Sequence, residues 1–451
     1  MIDLFLYFLL GLVIIGFELG RKRYFIIDHI TLFNFFFFLV YSFTPIMLLL
    51  EGTHLINDDM PYGHEYFGYN PFTSIIVFSA YLFFLAGYNA VMIQKQKYIL
   101  TFQTGFNTDF TVKILPFIYT ILFALLYVYT NEFGGLKETI EQAEAYRSSM
   151  IKPKQFGFVQ HFFPLNTILL YYAYFKVVLQ KNQNHRAVMI LFLLMSILIS
   201  LLIMAIYNSR GYIIFEVAGL YIITSMYHKN YFFKYLIPSL IVAFLVIKFG
   251  RPFFNSISDL IKYGFDTFWD KFTGNLEILE QEGGSIIPNF THPIVSLEAS
   301  LARSGIDIEL RYFKDIFYAF YSLLPNELLG IKDPQRLMEL NTIVLQGREL
   351  TQILPGILGF FSYSLHVVGV FIGSFVYGLF GGYLNKIFAA FYSETKASLV
   401  YIYLISLTYG YFVFRGAPIN AVLEKFILMV VLFAIFFYSK ITIKKKSSAS
   451  I

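Results

Sequence analysis

Runs of about 20 mostly apolar residues recur along this chain, the length an α-helix needs to cross the hydrocarbon core of a bilayer. No water reaches a backbone N–H or C=O in lipid, so such runs must fold as helices that satisfy their own hydrogen bonds. Only 14% of the residues are charged and 57% are hydrophobic, so a soluble surface could not be covered. The sequence therefore specifies an all-α polytopic membrane protein. Hydropathy places about eleven helices near 2–20, 28–50, 70–93, 112–131, 157–180, 187–207, 211–227, 232–249, 355–385, 397–414 and 419–439. The first run has neither a basic segment before it nor a small-residue cleavage site after it, and is expected to remain as a helix.

Basic residues orient these spans. Arg21, Lys22 and Arg23 follow the first helix, Lys95 and Lys97 the third, Lys181 and Arg186 the fifth. Lys229 and Lys234 flank the turn after the seventh, Lys386 and Lys396 the turn after the ninth, and Lys440, Lys444, Lys445 and Lys446 lie in the tail. They alternate with acidic or mixed connections such as 51–65, which holds no Lys or Arg. Basic loops stay in the cytoplasm, so the expected topology is N-terminus outside and C-terminus inside. The net charge of +5 then reflects loops facing anionic lipid, and no nucleic-acid partner is expected. With no cysteine, disulfides, thiolate metal sites and cysteine nucleophiles are excluded.

Three segments face outward in this topology. Residues 132–156 read as an amphipathic helix ending in Tyr146-Arg147. Residues 250–354 form a large outer loop, too long to lack structure of its own. In it Leu260, Ile261, Phe265, Phe268 and Trp269 read as an interfacial helix, and Tyr312 to Leu324 as a second. The third is the turn Phe414-Arg415-Gly416-Ala417-Pro418.

Arg210, Arg348 and Arg415 all fall on the outer side beside helix ends. A guanidinium is always charged and offers a donor fork matched to phosphate oxygens. A site that breaks a sugar–diphosphate bond must neutralise the leaving group, and arginines do so without a metal. Taken singly, each could instead snorkel to lipid phosphate or cap a helix C-terminus. Arg147, Arg251 and Arg311 share the face as further substrate-binding candidates, with loop salt bridges as the alternative. Glu216, six residues past Arg210 and inside a span, is a binding candidate because a carboxylate at that depth is costly. A structural partner for a neighbouring Arg or Tyr is its other reading. An attacking sugar hydroxyl benefits from a carboxylate or imidazole base, and Glu298 or His292 could serve, with a solvated loop residue as the other reading of each. His366 reads as a hydrogen-bonded core residue. No Asp-X-Asp pair stands in an outer loop, so no metal or other cofactor is expected. Nucleotide sugars are cytoplasmic, so an outward site calls for a lipid-linked donor.

At these residues the chain resembles the O-antigen and oligosaccharide repeat-unit polymerases, the Wzy-like family, including the enterobacterial common antigen type. The likeness rests on Asn208-Ser209-Arg210-Gly211-Tyr212, on Ser322-Leu323-Leu324-Pro325 after the outer loop, and on Pro355-Gly356-Ile357-Leu358-Gly359. Gly369, Gly373, Gly378, Gly381 and Gly382, then Arg415-Gly416, and Gly134-Gly135-Leu136 leading to Tyr146-Arg147, complete it over about residues 130–435. Arg348 stands in a region where an arginine is not expected in every subfamily. The resemblance implies a GT-C-like glycosyltransferase architecture in the bacterial cytoplasmic membrane. It implies transfer of a growing glycan from undecaprenyl diphosphate onto a lipid-linked repeat unit, with Arg210 and Arg415 on the diphosphate. A chain-length regulator and a flippase are the implied protein partners. An O-antigen ligase-like transferase and a lipid-linked oligosaccharide transporter are the alternatives.

Overall fold

The computed structural model describes residues 2–445, apart from 24, 57–59, 94–97, 105–107, 144–155, 181–184, 208–209, 229–230, 282–286, 324–334, 348–351, 395–397 and most of 424–438. The helices are α1 (Ile2–Gly20), α2 (His29–Glu51), α3 (Thr73–Met92), α4 (Thr108–Asn131), α5 (Gly157–Leu179), α6 (Arg186–Tyr207) and α7 (Arg210–Tyr227). They continue as α8 (Tyr231–Tyr263), α9 (Phe265–Gln281), α10 (His292–Arg303), α11 (Lys314–Tyr321), α12 (Leu337–Gln346), α13 (Gly356–Glu394) and α14 (Ser398–Arg415). Among the described residues seven helices are long and apolar enough to cross a membrane, and two shorter apolar helices lie within α7 and α14. The chain is thus a multi-pass helical membrane protein. The last expected span, 419–439, lies largely outside the described residues.

One departure from an all-α chain is a two-stranded antiparallel sheet. Strand β1 (Tyr98–Thr104) pairs with β2 (Ser439–Lys445), Tyr98 opposite Lys445 and Thr104 opposite Ser439. Strands this short, and this far apart in sequence, carry no periodic signal that a hydropathy scan would separate from a loop.

The two ends of the bundle differ in chemistry. At one, Ser74 Oγ donates to Asp3 across the starts of α3 and α1 (2.6 Å). At the other, Arg21 is buried between Glu18 and Asp28, at 2.8 and 2.6 Å. Asp28 also caps α2, accepting from the Thr31 N–H while Thr31 Oγ1 accepts from the Asp28 N–H. Arg21, expected to mark a basic loop, is therefore a clasp between α1 and α2, and only Lys22 and Arg23 present charge outward there. The same end carries the Lys-rich strand β2.

The interior divides into two packed bodies. One joins α1, α2, α3, α7, α10, α12, α13 and α14; the other joins α4 and α6, and α5 contributes to both. Helices α3 and α13 approach closely, such that a Cβ on Gly378 would lie 2.1 Å from the Phe84 carbonyl and one on Gly87 equally close to that of Phe375. Only glycine lets the two backbones approach so far.

Two expectations about the 250–354 region change. Helix α8 does not stop near 249 but runs on to Tyr263, where Gly264 (φ 93°) turns the chain back into α9. And α10, expected as part of a solvated outer loop, is not at a surface: every residue from Pro293 to Leu301 is buried. Asn341 on α12 locks it in place, donating to Ser296 Oγ (2.9 Å) and to the Ile353 carbonyl (3.0 Å) while accepting from Tyr363 (3.1 Å). A hundred residues that read as an outer loop thus insert a helix into the bundle. Helix α11 does present an apolar face outward, through Ile316, Phe317 and Phe320.

Helix α13 is broken. Leu365 and His366 leave helical geometry, His366 at φ 54°, a conformation that costs of the order of 1–3 kcal/mol and needs support. The support is visible: the Arg311 and Tyr312 N–H groups donate to the carbonyls of Tyr363 and Ser364 (both 2.9 Å), which the break leaves without helical partners. His366 Nε2–H donates to the Leu301 carbonyl at 3.0 Å, the hydrogen-bonded role expected of it. The segment 356–364 folds back so that the Phe361 ring lies over Gly373.

Candidate functional site

Three helix ends meet at one place. The start of α13, the end of α14 and the start of α10 converge on Gly356, Gly416 and Pro293. A Cβ on Gly356 would lie 2.5 Å from that of Pro293 and 2.6 Å from the Tyr41 hydroxyl; one on Gly416 would lie 1.9 Å from the Gly356 carbonyl. Tyr41 sits on a π-turn of α2 (Leu39–Phe43), a bulge that recurs at functional positions. Its hydroxyl accepts from the Leu358 N–H at 3.1 Å, holding the first turn of α13. Ser42 next to it donates to the Tyr7 carbonyl (2.8 Å), so this junction lies about one helical turn inside the Asp3 end.

Arg415 closes α14 at this junction. Its guanidinium carbon stands 5.0 Å over the Tyr411 ring, a cation–π contact. Part of this is ordinary helix chemistry, since a cation in the last turn suits the helix dipole. The surroundings go further. Phe414 packs against His292 (ring centroids 4.6 Å) and Phe290 (5.7 Å), which brings the start of α10 beside Arg415.

The register of α7 against α14 adds Arg210. Phe215 packs on Tyr411 at 4.7 Å, and Gly219, one turn on, lies against Tyr403. The helices therefore run antiparallel. Arg210 precedes Phe215 by five residues and Arg415 follows Tyr411 by four, so their backbones stand at the same level. Two arginines far apart in sequence share one end of one helix pair.

The proposed bases part company: His292 lies at the junction against Phe414, while Glu298, six residues on and about a third of a circle around α10, faces elsewhere. Burial pushes His292 down to about 3, so it is neutral. Glu298 accepts from the Gly68 N–H and the Tyr69 N–H, with Asp3 and Tyr7 of α1 as charged or titratable neighbours. Burial pushes it up to about 8, against the pull of those two backbone bonds. Glu298 thus pins α10 to the turn before α3.

A stability consequence follows. The folded chain holds a proton on Glu298 that the unfolded chain releases above about 4.5. Its contribution is therefore full below that pH, falls between about 4.5 and 8, and is gone above. At about 1.4 kcal/mol per unit it amounts to a few kcal/mol. The melting temperature of purified protein should fall by several degrees from pH 5 to pH 8, and Glu298→Gln should flatten that fall. An equal fall in the Gln variant would assign the dependence elsewhere.

The remaining candidates separate. Arg311 is held by Asp315 (2.6 and 2.9 Å) and the Gln335 carbonyl (2.8 Å), a salt bridge that orients the start of α11. Arg251 lies within α8, while Arg147 and Arg348 lie outside the described residues. Glu216 is buried between helices: Ser200 Oγ donates to it (2.8 Å), Asn166 donates to Ser200 (2.8 Å) and to the Ser196 carbonyl (3.0 Å), and Tyr119 reaches Ser196. These described partners are neutral. Among the described residues no group of three His, Asp or Glu side chains is placed to share a cation.

Tyr41 and Tyr411 were not singled out in the sequence. Tyr411 was within reach, being an aromatic four residues before an arginine on a helix. Tyr41 lies in a run of aromatics with nothing to distinguish it. Comparison with protein-family models, curated proteins and solved structures finds no match.

Proposed function

We propose that this chain is a membrane glycosyltransferase of the repeat-unit polymerase kind, its Asp3 end outside the cytoplasmic membrane and its Arg21 end inside. It would span about eleven times in a GT-C-like arrangement. The observation that carries this reading is the meeting of Arg415, the level of Arg210 and the start of α13 one turn below the Asp3 end. A diphosphate there would meet two permanent cations at the start of a helix.

In the reaction an acceptor hydroxyl of a lipid-linked repeat unit attacks the anomeric carbon of the growing glycan. The new glycosidic bond forms as the bond to undecaprenyl diphosphate breaks, and the departing diphosphate takes the electron pair. Arg415 and Arg210 stabilise that charge as it develops. The acceptor's proton goes to a base. Glu298, raised toward neutrality by burial, has suitable proton affinity, but must leave the Gly68 and Tyr69 amides to act. An O-antigen ligase-like transferase would use the same donor chemistry on another acceptor.

The test is the chain length of surface polysaccharide in cells carrying Arg210→Ala, at protein levels matched by blot. Single repeat units on the carrier or its acceptor are expected; persistent long chains would remove Arg210 from the site. A second reading, a lipid-linked oligosaccharide transporter, is favoured by the polar thread from Tyr119 to Glu216 through the second packed body. It would leave repeat units trapped inside when Glu216 is replaced.

A further inference from the structure

The α8–α9 hairpin ends in exposed aromatic rings. Tyr263, Phe265 and Trp269 are 68%, 65% and 51% exposed. Phe265 and Trp269 stack at 6.2 Å with an interplanar angle of 16°, and Phe272 follows at 5.6 Å from Trp269. Positions 265, 269 and 272 fall on one face of α9 and extend it about 10 Å. Phe268, on the same side, is buried against Phe253 and stacks on Phe272 at 5.9 Å, and Lys271 pairs with Asp259 at 2.6 Å, so the ladder stands on a fixed hairpin.

Exposed apolar rings in a row mark a binding surface. A bilayer interface is the first occupant to weigh, and two observations disfavour it. Helices that lie on anionic lipid carry lysine and arginine on their polar face; α9 carries Asp266, Asp270, Glu277 and Glu280 against one lysine. The hairpin also reaches too far. Helix α8 is 33 residues long, about 50 Å, against a hydrocarbon core of about 30 Å. Ile257 already packs with the body that holds Phe133 and Tyr207, at the outer ends of α4 and α6, and the tip lies almost two turns beyond it.

We infer that the Phe265–Trp269–Phe272 ladder is a glycan-binding platform: the rings stack on the apolar faces of sugar units, and Asp266 and Asp270 accept from their hydroxyls. Carboxylates are acceptor-only groups when ionised and suit a neutral, hydroxyl-rich ligand; both acids are exposed beside the rings. The platform deepens the transferase reading, on which its role in holding the growing saccharide above the arginine junction rests. Binding itself does not depend on that reading.

Trp269 is the single tryptophan of the chain, so its fluorescence reports on this face alone. Full-length protein in lipid nanodiscs is the sample, and the probe is oligosaccharide released by mild acid from the surface polysaccharide of the source cells. The expected result is quenching by aqueous acrylamide, none by lipids brominated on their acyl chains, and protection from acrylamide when oligosaccharide is added. Phe265→Ala should weaken that protection, raising the half-saturating concentration by up to about tenfold. Quenching by brominated lipid, or acrylamide quenching indifferent to oligosaccharide, overturns the platform. Protection together with normal polymer in Arg415→Ala cells sinks the polymerase reading alone; no protection with polymer lost in those cells sinks the platform alone.

Discussion

Cells carrying Arg415→Ala are expected to make no long surface polysaccharide while keeping a normal amount of the protein in the membrane. Arg415 is half-buried at the end of α14, and truncating it removes a charge and a ring contact without opening the core. Fold stability should change little. On the transferase proposal, what disappears is a cation at the position where the leaving diphosphate would develop charge, and deleting one such stabiliser typically costs about 10²–10³ in rate. Polymerisation repeats the step at every unit, so a loss of that size collapses chain length to one or a few repeats. Arg415→Lys separates two contributions. Lysine keeps the charge but lacks the planar fork that stacks on Tyr411 and grips two oxygens, so partial chains are expected. Long polymer in the Ala variant, at matched protein level, would mean that Arg415 only caps its helix.

The neighbouring glycine should matter almost as much although it carries no chemistry. At Gly416 the backbone is left-handed (φ 57°), which costs a residue with a Cβ about 1–2 kcal/mol. The added carbon would also fall 1.9 Å from the Gly356 carbonyl, 2.1 Å from its carbon and 2.7 Å from the Ile357 nitrogen. These are backbone atoms at the start of α13 and cannot rotate away. Relief requires the ends of α13 and α14 to part. Overpacking of this kind costs roughly 1–3 kcal/mol more. Gly416→Ala should therefore insert, melt several degrees lower, and lose polymer nearly as completely as Arg415→Ala while retaining both arginines. Gly16→Ala is the matched control, because a Cβ there meets nothing within 4 Å. Wild-type chain length in Gly416→Ala would show that the contact between the two helix ends is not needed.

The part of this fold legible in the sequence is the part governed by solvent. Bilayer-length apolar runs located the helices because lipid leaves a backbone no other option. The turn at Arg415-Gly416 was legible for a related reason: a charge beside a hydrocarbon run has few places to go. What escaped depends on contacts between distant segments. Nothing local says that Pro293–Leu301 is buried all round; its serines and Glu298 look solvated until Asn341 and the Gly68 and Tyr69 amides are found against them. The break at Leu365–His366 falls on a Leu and a His, neither a helix breaker, and is stabilised by Arg311 and Tyr312, some fifty residues earlier. The β1–β2 pairing joins segments more than three hundred residues apart in the sequence. Arg311 carried the right charge and side of the membrane for a ligand, and its employment by Asp315 on the next helical turn could have been weighed from spacing alone.

The Gly87–Gly378 crossing has a consequence for how the chain is made. Helix α3 leaves the ribosome early and its partner α13 late, and between them come the second packed body and the whole 250–354 insertion. Until α13 arrives, the groove around Gly87 faces lipid with nothing to fill it, and α10 has no segment 356–364 to lie against. The first three helices therefore enter the membrane as an unfinished half of a core. Assembly of the junction at Arg415 is deferred to the last stages of synthesis, so a ribosome stalled before α13 releases a product with its spans in place and its site unbuilt.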